Sequence, residues 1–382
     1  MASNHRRVIA GSVIGGAVIA LVVLVGQVWL ISHLSWTHRE APADSAVGIN
    51  FSCDQAEYLL LEDSALGEGG YVSDDRPGRA EWCGDVLGRL LDATGAKLVR
   101  LSAHWDEIEP REGLYHFDVL DALLGTAESH GATVNLSVGM KAQRHPEFYI
   151  PAWALEGTAF EEGAVISDAR ELRARALAMI TEVVQHYATN PVIDSWGAEN
   201  EPYIASHRSD GYSLSREYVD AVVATIRAND RLGRPVMINH AQHFVMDQRW
   251  HNALADGDVL GQSIYPRRNV NVLGLRAVVN IMELGPLMPN YAYQAREAHR
   301  AGKQFWVTEL QGEPWTDDDA RLISPEEPSP NLSPRSFKEN VTYARKSGAD
   351  RIYLWGAEWW LYQAERFGDS CWLESARTSI AY

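Results

Sequence analysis

The chain has 382 residues, 46% of them hydrophobic and 22% charged, values ordinary for a globular protein that buries a sizeable core. Its formal net charge of −17 argues against a polyanionic partner, because phosphate backbones are held by an excess of Lys and Arg. We therefore predict no nucleic-acid partner. The sequence has no zinc-spaced cysteines and no Gly-rich phosphate loop, and we predict no metal and no cofactor.

The amino-terminal region differs from the rest of the chain. Residues 8–31 contain no charged side chain, and as a helix they would extend about 36 Å, enough to cross a hydrocarbon core of about 30 Å. His5, Arg6 and Arg7 precede the run and favour a cytoplasmic tail over residues 1–7. We predict an uncleaved transmembrane signal-anchor helix over 8–31 that places the remaining domain outside the cytoplasm.

Two other interpretations of the amino-terminal run are a cleaved signal peptide and a buried core helix. Ala41-Pro42-Ala43 resembles a cleavage site, and cleavage there would make the protein secreted. Residues 32–46 are polar and predict a linker, which leaves a single domain over 47–382. In an exported domain the three cysteines could form one disulfide, and the sequence does not decide which pair: Cys53, Cys83 or Cys371.

From Gly48 onward, short apolar runs alternate with longer amphipathic stretches. The runs are rich in β-branched and aromatic residues and lack clean polar alternation, as strands of a buried parallel sheet do. Alternating strands and helices predict a parallel sheet, and eight such units predict a closed (β/α)8 TIM barrel. A doubly wound open sheet is the alternative, although no GxGxxG follows the first strand. The predicted strands are Gly48–Ser52, Leu98–Ser102, Thr133–Val138, Val192–Trp196, Val236–Asn239, Val259–Ile264, Phe305–Thr308 and Arg351–Leu354.

Three of the intervening stretches have clear helical periodicity. They cover residues 171–187, 216–230 and 335–348, and the first places Leu177, Ile180 and Val184 on one face. Asp168 precedes that stretch and is predicted to cap it.

Polar and aromatic side chains follow one predicted strand after another. In a TIM barrel the active site lies at the carboxyl ends of the strands, so these side chains should gather on one face of the molecule. The second strand contains Arg100 and is followed by His104, the fourth is followed by Asn200 and Glu201, and the fifth by His240. The later strands contribute Tyr265, Glu309, Trp355, Glu358 and Trp359.

Three motifs at these strand ends together resemble one group of enzymes. They are "NEP" at the fourth strand, "VTEL" at the seventh and "LWGAEWW" at the eighth. Over about residues 48–362 the chain resembles the retaining glycoside hydrolases of clan A, which include cellulases, β-mannanases and β-galactosidases. The family 5 branch is the first choice. "EIEPREGLYHFDVLD" and "ELQGEPW" are similar to family 42 β-galactosidases, the second choice, although "NEP" replaces the Asn-Glu-Tyr usual in that family.

The resemblance implies a hydrolase that cleaves β-linked oligosaccharides or polysaccharides by double displacement. Glu201 would be the acid/base and Glu309 the nucleophile. Such cleavage passes through an oxocarbenium-like state, so one carboxyl protonates the leaving oxygen while the other attacks the anomeric carbon. In a retaining enzyme the two carboxyl groups lie about 5–5.5 Å apart. We expect the acid to have a pKa raised by burial and by the charge of the nucleophile.

The resemblance also implies roles for residues around the two carboxyls. Asn200 would bind the sugar 2-hydroxyl, Tyr265 would hydrogen-bond the nucleophile, and Trp355 would form the sugar platform. Arg100 matches the strand-two arginine that steadies the nucleophile in family 5, and His240 resembles the strand-five histidine of that branch.

Several assignments have alternatives. Glu199 could replace Glu201 as the acid, but Pro202 disfavours the helical region for the residue before it and should hold Glu201 extended at the strand exit. Glu313 also precedes a proline and is the rival of Glu309.

The remaining candidates could contact sugar or pack in the core. His104 could be a hydrogen-bonded core histidine, Glu358 could pair with an arginine, and either Trp359 or its neighbour Trp360 could pack behind the cleft. The long segments 145–166 and 312–333 would form walls or lids above the site. For the whole protein, a surface glycan-binding barrel without catalysis is the alternative function.

Overall fold

The protein folds around a closed barrel of parallel strands. The computed structural model describes residues 18–27, 44–61, 77–206, 209–242, 247–272, 275–283, 289–315 and 319–381. Eight of its strands close in the order β1-β10-β9-β6-β5-β4-β3-β2, every pair parallel. Strands β7 and β8 form a separate antiparallel hairpin after β6. The strands are β1 (Ala46–Asn50), β2 (Leu98–Ser102), β3 (Thr133–Val138), β4 (Ile193–Ala198), β5 (Val236–His240), β6 (Val259–Ile264), β7 (Arg267–Val272), β8 (Leu275–Asn280), β9 (Gln304–Gln311) and β10 (Arg351–Trp355).

The predicted (β/α)8 barrel is confirmed. All eight predicted strands are present, and their ends differ from the prediction by at most three residues. Helices connect the strands and pack their apolar faces outside the barrel. The α-helices are Cys53–Leu60, Arg79–Thr94, Trp105–Ile108, Asp118–Ser129, Ala152–Leu155, Arg170–His186, Arg216–Asn229, Trp250–Asp256, Tyr291–Arg300, Pro334–Lys346, Ala357–Phe367 and Cys371–Ala381.

The three periodic stretches form helices as predicted, but the predicted cap is wrong. Asp168 belongs to a short 3₁₀ turn, Ile166–Asp168, and Ala169 is the residue that precedes the helix Arg170–His186. Ile180 and Val184 of that helix are fully buried, because the helical period places them on the face toward the barrel.

One large apolar core joins the helices to the strands. A smaller cluster, made by Met237, Val259, Trp306 and Tyr353, packs separately. These residues lie in the first three positions of their strands, and the strand ends that carry the predicted site are the opposite ones. The amino-terminal end of the barrel is therefore filled by large apolar side chains, which matches its expected role in stability.

A disulfide joins Cys53 to Cys83, and Cys371 is exposed and unpaired. The bond connects the helix Cys53–Leu60 with the helix Arg79–Thr94, both of which follow β1 and lead into β2. The structure therefore shows which two of the three cysteines are bonded, which the sequence alone leaves open.

The predicted transmembrane segment lies largely outside the described residues. Residues 18–27 of it are described, form a helix and expose their side chains. In the described part of the chain, no helix is both long and apolar enough to cross a membrane.

Candidate functional site

The predicted site lies where β4 and β9 reach the same face of the barrel. Glu309 belongs to β9, and Glu201 follows the end of β4 by three residues. The pairing of β9 shifts by one residue next to Glu309 on both sides, between Gln262 and Ser263 of β6 and between Ile352 and Leu354 of β10. Such bulges occur beside active sites, where they redirect a side chain.

Glu309 is buried and accepts a hydrogen bond at each carboxylate oxygen. The Arg100 guanidinium donates to Oε1 at 3.0 Å, and the Tyr265 hydroxyl donates to Oε2 at 2.6 Å. Both contacts are those that the family 5 resemblance implies. Burial, followed by the charge of Glu309, holds the pKa of the Tyr265 hydroxyl well above its usual value, so Tyr265 stays a donor over the ordinary pH range.

Arg100 organises the polar floor of the site. It is fully buried, and its second terminal nitrogen donates to Asn200 Oδ1 at 2.8 Å. Its first terminal nitrogen, besides bonding Glu309, donates to Gln143 at 2.8 Å and to Asn50 at 3.3 Å. A buried guanidinium needs this many acceptors, because an unpaired buried charge is costly.

Asn200 is held by its oxygen, which accepts from Arg100 and, at 2.9 Å, from the side chain of Asn239. An amide oxygen offers two lone pairs, and both are used here. A sugar hydroxyl could therefore be met only by the amide nitrogen of Asn200, acting as a donor.

Glu201 does not have the predicted backbone conformation. Its φ is +46°, in the left-handed region, so the expectation that Pro202 holds it extended is wrong. The preference before proline is overridden by hydrogen bonds: Glu201 N donates to Asn239 Oδ1 at 2.9 Å, and the Glu201 carbonyl accepts from Lys141 at 3.0 Å. Burial, followed by the charge of Glu309, raises the pKa of the Glu201 carboxyl to about 7.

Glu199 has a different setting from Glu201. Its carboxylate is fully buried and accepts from the backbone nitrogens of Met140 and Lys141, at 3.0 and 2.7 Å, and from the Tyr218 hydroxyl at 2.8 Å. It packs so closely against Gly139 that a Cβ there would lie 2.2 Å from the carboxyl carbon. Glu199 therefore ties the end of β4 to the end of β3, two residues before Glu201.

The face of Trp355, predicted as the sugar platform, is covered by a guanidinium. Arg144 lies 3.9 Å from the ring centre, and Trp355 is only 7% exposed. Arg144 is held there by Glu313 and Glu358, and Glu313 also accepts from the Trp355 indole nitrogen at 2.8 Å. Glu358 thus pairs with an arginine, which is one of its two predicted alternatives, and Glu313 belongs to this cluster instead of replacing Glu309.

Trp315 is the exposed aromatic residue next to Glu309 in the described structure. Its ring stacks on Tyr265 with centres 4.7 Å apart, and the side chain is 41% exposed. The motif "GEPW" after β9 gave a signal for it in the sequence, since an aromatic residue just beyond a strand end belongs to the active face.

The two predicted histidines lie in separate contacts. His104 Nδ1 is 2.9 Å from Asp54, and its ring stacks on Tyr149 at 3.7 Å, as expected of a packed histidine. His240 is fully buried, with Nε2 3.2 Å from Asp247, and its Nδ1 has no hydrogen-bond partner among the described residues.

Trp359 packs in the interior and does not line the cleft as predicted. Trp359 is buried, donates to Ala320 O and packs edge-on against Trp372. Trp360 is buried too and donates to Gly312 O. Adjacent residues of the helix Ala357–Phe367 point in different directions, and here both directions lead into packed surroundings.

Two groups of side chains in the described residues have the spacing of metal ligands. In one, Cys53 and Cys83 are joined to each other. In the other, Asp54, His104 and Glu107 lie together, and Arg79 donates to both acids at 2.7 and 2.6 Å. Arg79 thus supplies positive charge to this acidic cluster.

Four residues of the site carry no role in the sequence prediction: Asn50, Lys141, Gln143 and Asn239. Each lies at or just beyond the end of a strand, which is the available signal. Their partners are far away in the sequence, so the hydrogen bonds themselves become visible only in the folded barrel.

Comparison with known proteins agrees with this arrangement. The sequence model of a family described as β-galactosidase (Glyco_hydro_42) matches residues 79–220, a stretch that includes Arg100, Asn200 and Glu201 and ends before Glu309. The β-galactosidase BbgII of Bifidobacterium bifidum is 30% identical over 154 residues, which cover 36% of this chain and 21% of the relative. These matches show that part of the chain is similar to β-galactosidases of glycoside hydrolase family 42. They bear out the predicted enzyme class, a glycosidase.

Solved structures with a similar fold include a β-galactosidase and a GH5_18 enzyme. A β-galactosidase from the psychrophilic Marinomonas ef1 has a TM-score of 0.52 at 15% identity and covers 86% of this chain and 61% of its own. A GH5_18 enzyme from Bifidobacterium longum, in complex with Manβ1-4GlcNAc, has a TM-score of 0.54 at 12% identity, covering 88% and 78%. At such identities the likeness shows the fold. The matched regions span about a fifth of the curated relatives' length.

Proposed function

We propose that this protein is a retaining β-glycosidase of clan A that works by double displacement, with Glu201 as acid/base and Glu309 as nucleophile. The observation that carries the proposal is the unequal setting of the two carboxyls. Burial and the charge of Glu309 raise the pKa of Glu201 to about 7, so Glu201 keeps a proton that it can give to a leaving group. Both oxygens of Glu309 accept hydrogen bonds, as the oxygens of an ionised carboxylate do. An ionised carboxylate is the form that can attack the anomeric carbon.

The proposed reaction has two steps. In the first, a Glu309 oxygen bonds to the anomeric carbon while the glycosidic bond breaks and the Glu201 proton goes to the leaving oxygen. In the second, Glu201 takes a proton from water, whose oxygen bonds to the anomeric carbon and releases Glu309. Asn200 would donate to the sugar 2-hydroxyl, and Trp315 would offer the exposed aromatic surface at the site.

For the substrate, we propose a terminal or internal β-galactoside as the first class to test. The match over residues 79–220 to the β-galactosidase family and the 30% identity to BbgII favour it. A β-mannoside is the second class, favoured by the GH5_18 neighbour bound to Manβ1-4GlcNAc. A glycan-binding barrel without turnover is the alternative in another functional class.

The test uses aryl β-galactosides, β-glucosides and β-mannosides, each with an acidic and a poorly acidic phenol as leaving group. Glu201→Gln should lower the rate on the poor leaving group by roughly 10²–10⁴-fold, the usual contribution of a general acid, and much less on the acidic phenol, which leaves without a proton. Glu309→Gln should abolish turnover of both, because the covalent step is lost. NMR of the first-formed sugar should show a retained anomer.

Glu109→Gln is the matched control. Glu109 is also buried and accepts from Trp105 Nε1 at 2.9 Å and from Gly113 N at 2.8 Å, so the variant removes a buried carboxylate outside the site. If the wild type turns over a substrate and both site variants keep that activity, the assignment is wrong. An oligosaccharide that binds without turnover would favour the glycan-binding alternative, and an inverted product would exclude double displacement.

We also propose that the protein is anchored in a membrane through residues 8–31, with the catalytic domain outside the cytoplasm. The exposed apolar side chains of residues 18–27 support it, since a contiguous exposed apolar surface marks a site covered by a partner or a membrane. The Cys53–Cys83 disulfide agrees with an oxidising compartment.

A further inference from the structure

Lys141 has an ammonium group that no solvent reaches. It follows the end of β3, and its side chain is 0% exposed. Its Nζ donates to the backbone carbonyls of Glu201 and Ile204, at 3.0 Å each, and lies 3.5 Å from Glu147 Oε2. Removing a charge from water costs several kcal/mol, which only good contacts offset. Two of the three contacts are made to the turn that begins with the predicted acid/base.

The backbone of Lys141 holds the same segment from its other end. Its nitrogen donates to the Glu199 carboxylate at 2.7 Å, and its carbonyl accepts from Asn200 N at 2.8 Å. One residue therefore bonds to positions 199, 200, 201 and 204. Because β3 and β4 are adjacent strands, Lys141 fixes the loop after β4 to the barrel.

The turn needs such support. Glu201 has a φ of +46°, and the left-handed region is unfavourable for a residue with a side chain. Asn239 bonds to the Glu201 nitrogen, and Lys141 bonds to its carbonyl. These two bonds fix both ends of the Glu201 backbone unit, and so the direction in which the carboxyl leaves the chain.

The charge of Lys141 also acts on the Glu201 carboxyl. Burial raises the pKa of Glu201, followed by the charge of Glu309 on β9, and Glu147 adds in the same direction; Lys141 opposes them. Among the described residues, Arg268, Tyr265 and Tyr291 also interact electrostatically with Glu201. Loss of the ammonium would leave Glu147 without its counter-charge and move the pKa of Glu201 further upward.

We propose that Lys141 is the positioning residue of the acid/base, whose buried ammonium fixes the left-handed turn that aims Glu201 at the glycosidic oxygen. The role of Lys141 in the reaction rests on the proposed function. Its effect on the position and pKa of the Glu201 carboxyl does not. No part of it requires Lys141 to touch the substrate.

The experiment compares Lys141→Met with Lys303→Met as the matched control. Lys303 makes the same kind of contact, its Nζ donating to the carbonyls of Leu254 and Ala255, at the amino-terminal end of β9 and away from the site. Lys141→Met should lower kcat by roughly 10–100-fold, as expected when a catalytic group is misplaced, with a much smaller change in KM. The basic limb of the kcat/KM profile should move to higher pH. Lys141→Arg, which keeps the charge, should leave that limb near its wild-type position.

A second readout does not need turnover. The ¹³C shift of the Glu201 carboxyl, assigned by its loss in Glu201→Gln, should titrate at higher pH in Lys141→Met than in the wild type and in Lys303→Met. If Lys141→Met only lowers the melting temperature, with kcat, the basic limb and the Glu201 titration unchanged, Lys141 is merely structural and the inference is wrong. A wild type that turns over no glycoside would overturn the proposed function, and the carboxyl titration would still decide whether Lys141 controls Glu201.

Discussion

At the scale of the residue, Glu201 is a carboxyl kept in a setting that disfavours its charge. Burial and the neighbouring Glu309 raise its pKa from 4.5 to about 7. Between these two pH values the folded protein holds a proton that the unfolded chain has lost. The contribution of the protonated Glu201 carboxyl to stability is therefore fully present below about pH 4.5 and decreases as the pH rises through about 7.

Glu201→Gln should therefore make the protein more stable at neutral pH while it lowers activity. We expect the unfolding free energies of variant and wild type to be similar near pH 4.5 and to diverge by on the order of 3 kcal/mol by pH 8, in favour of the variant. Urea unfolding followed by tryptophan fluorescence at several pH values measures the difference. A gap between the two curves that does not grow with pH would show that Glu201 titrates normally in the folded state.

Also at this scale, the backbone preferences of single residues predict less of the site than contacts between residues distant in sequence determine. Which residues reach the site follows from their places at the strand ends, and Arg100 and Tyr265 each contact Glu309 as the resemblance implies. The backbone of Glu201 could not be predicted from Pro202, because its conformation depends on Lys141 and Asn239, which are distant in sequence. The cover of Trp355 by Arg144 depends in the same way on a residue from another loop.

At the scale of the element, the disulfide fixes the first helix of the barrel beside the site. Arg79, at the start of the second helix, pairs with Asp54 and Glu57 of the first, and the residue before the first helix, Ser52, donates its backbone N–H to Glu358 at 2.7 Å. The bond between Cys53 and Cys83 thus closes a unit that extends to the Arg144 cluster.

Replacing Cys53 and Cys83 together by Ala should lower the unfolding free energy by about 3–4 kcal/mol, the chain-entropy value for a loop of this size, whose ends are 30 residues apart. Reduction of the wild type should lower it similarly. Cys371→Ser is the control and should change little, since Cys371 is exposed. An unchanged denaturation midpoint in the double variant would mean that the two helices are held by their other contacts alone.

All eight barrel strands could be predicted from the sequence, whereas the hairpin of β7 and β8 was missed. Buried parallel strands leave continuous apolar runs in the sequence, and all eight were found from them. The hairpin of β7 and β8 lies outside the barrel and was not among the predicted strands. Its signal in the sequence is the alternation of Val270 and Val272 with asparagines, which is typical of an antiparallel strand.

At the scale of the whole molecule, the proposed anchor can be tested on the full chain. We expect the protein to sediment with membranes, to resist extraction by high salt and to be released by detergent. Replacing Val22 and Leu24 together by Asp should move it to the soluble fraction, because each Asp near the centre of a spanning helix costs about 2.5–3.5 kcal/mol. Val278→Asp, an exposed apolar position on β8, is the control and should remain in the membrane fraction. A wild type found in the soluble fraction would contradict the anchor.

The closure of the barrel by β1 also determines how such a tethered enzyme would face its surroundings. Ala46 pairs with Arg351, the first residue of β10, so the chain enters at the rim opposite to the one that carries Glu201 and Glu309. A tether would therefore attach at the rim opposite to Glu201 and Glu309 and would leave the mouth of the barrel free of the linker. Residues 32–45 could span at most about 50 Å, which sets the largest distance between the proposed anchor and the barrel.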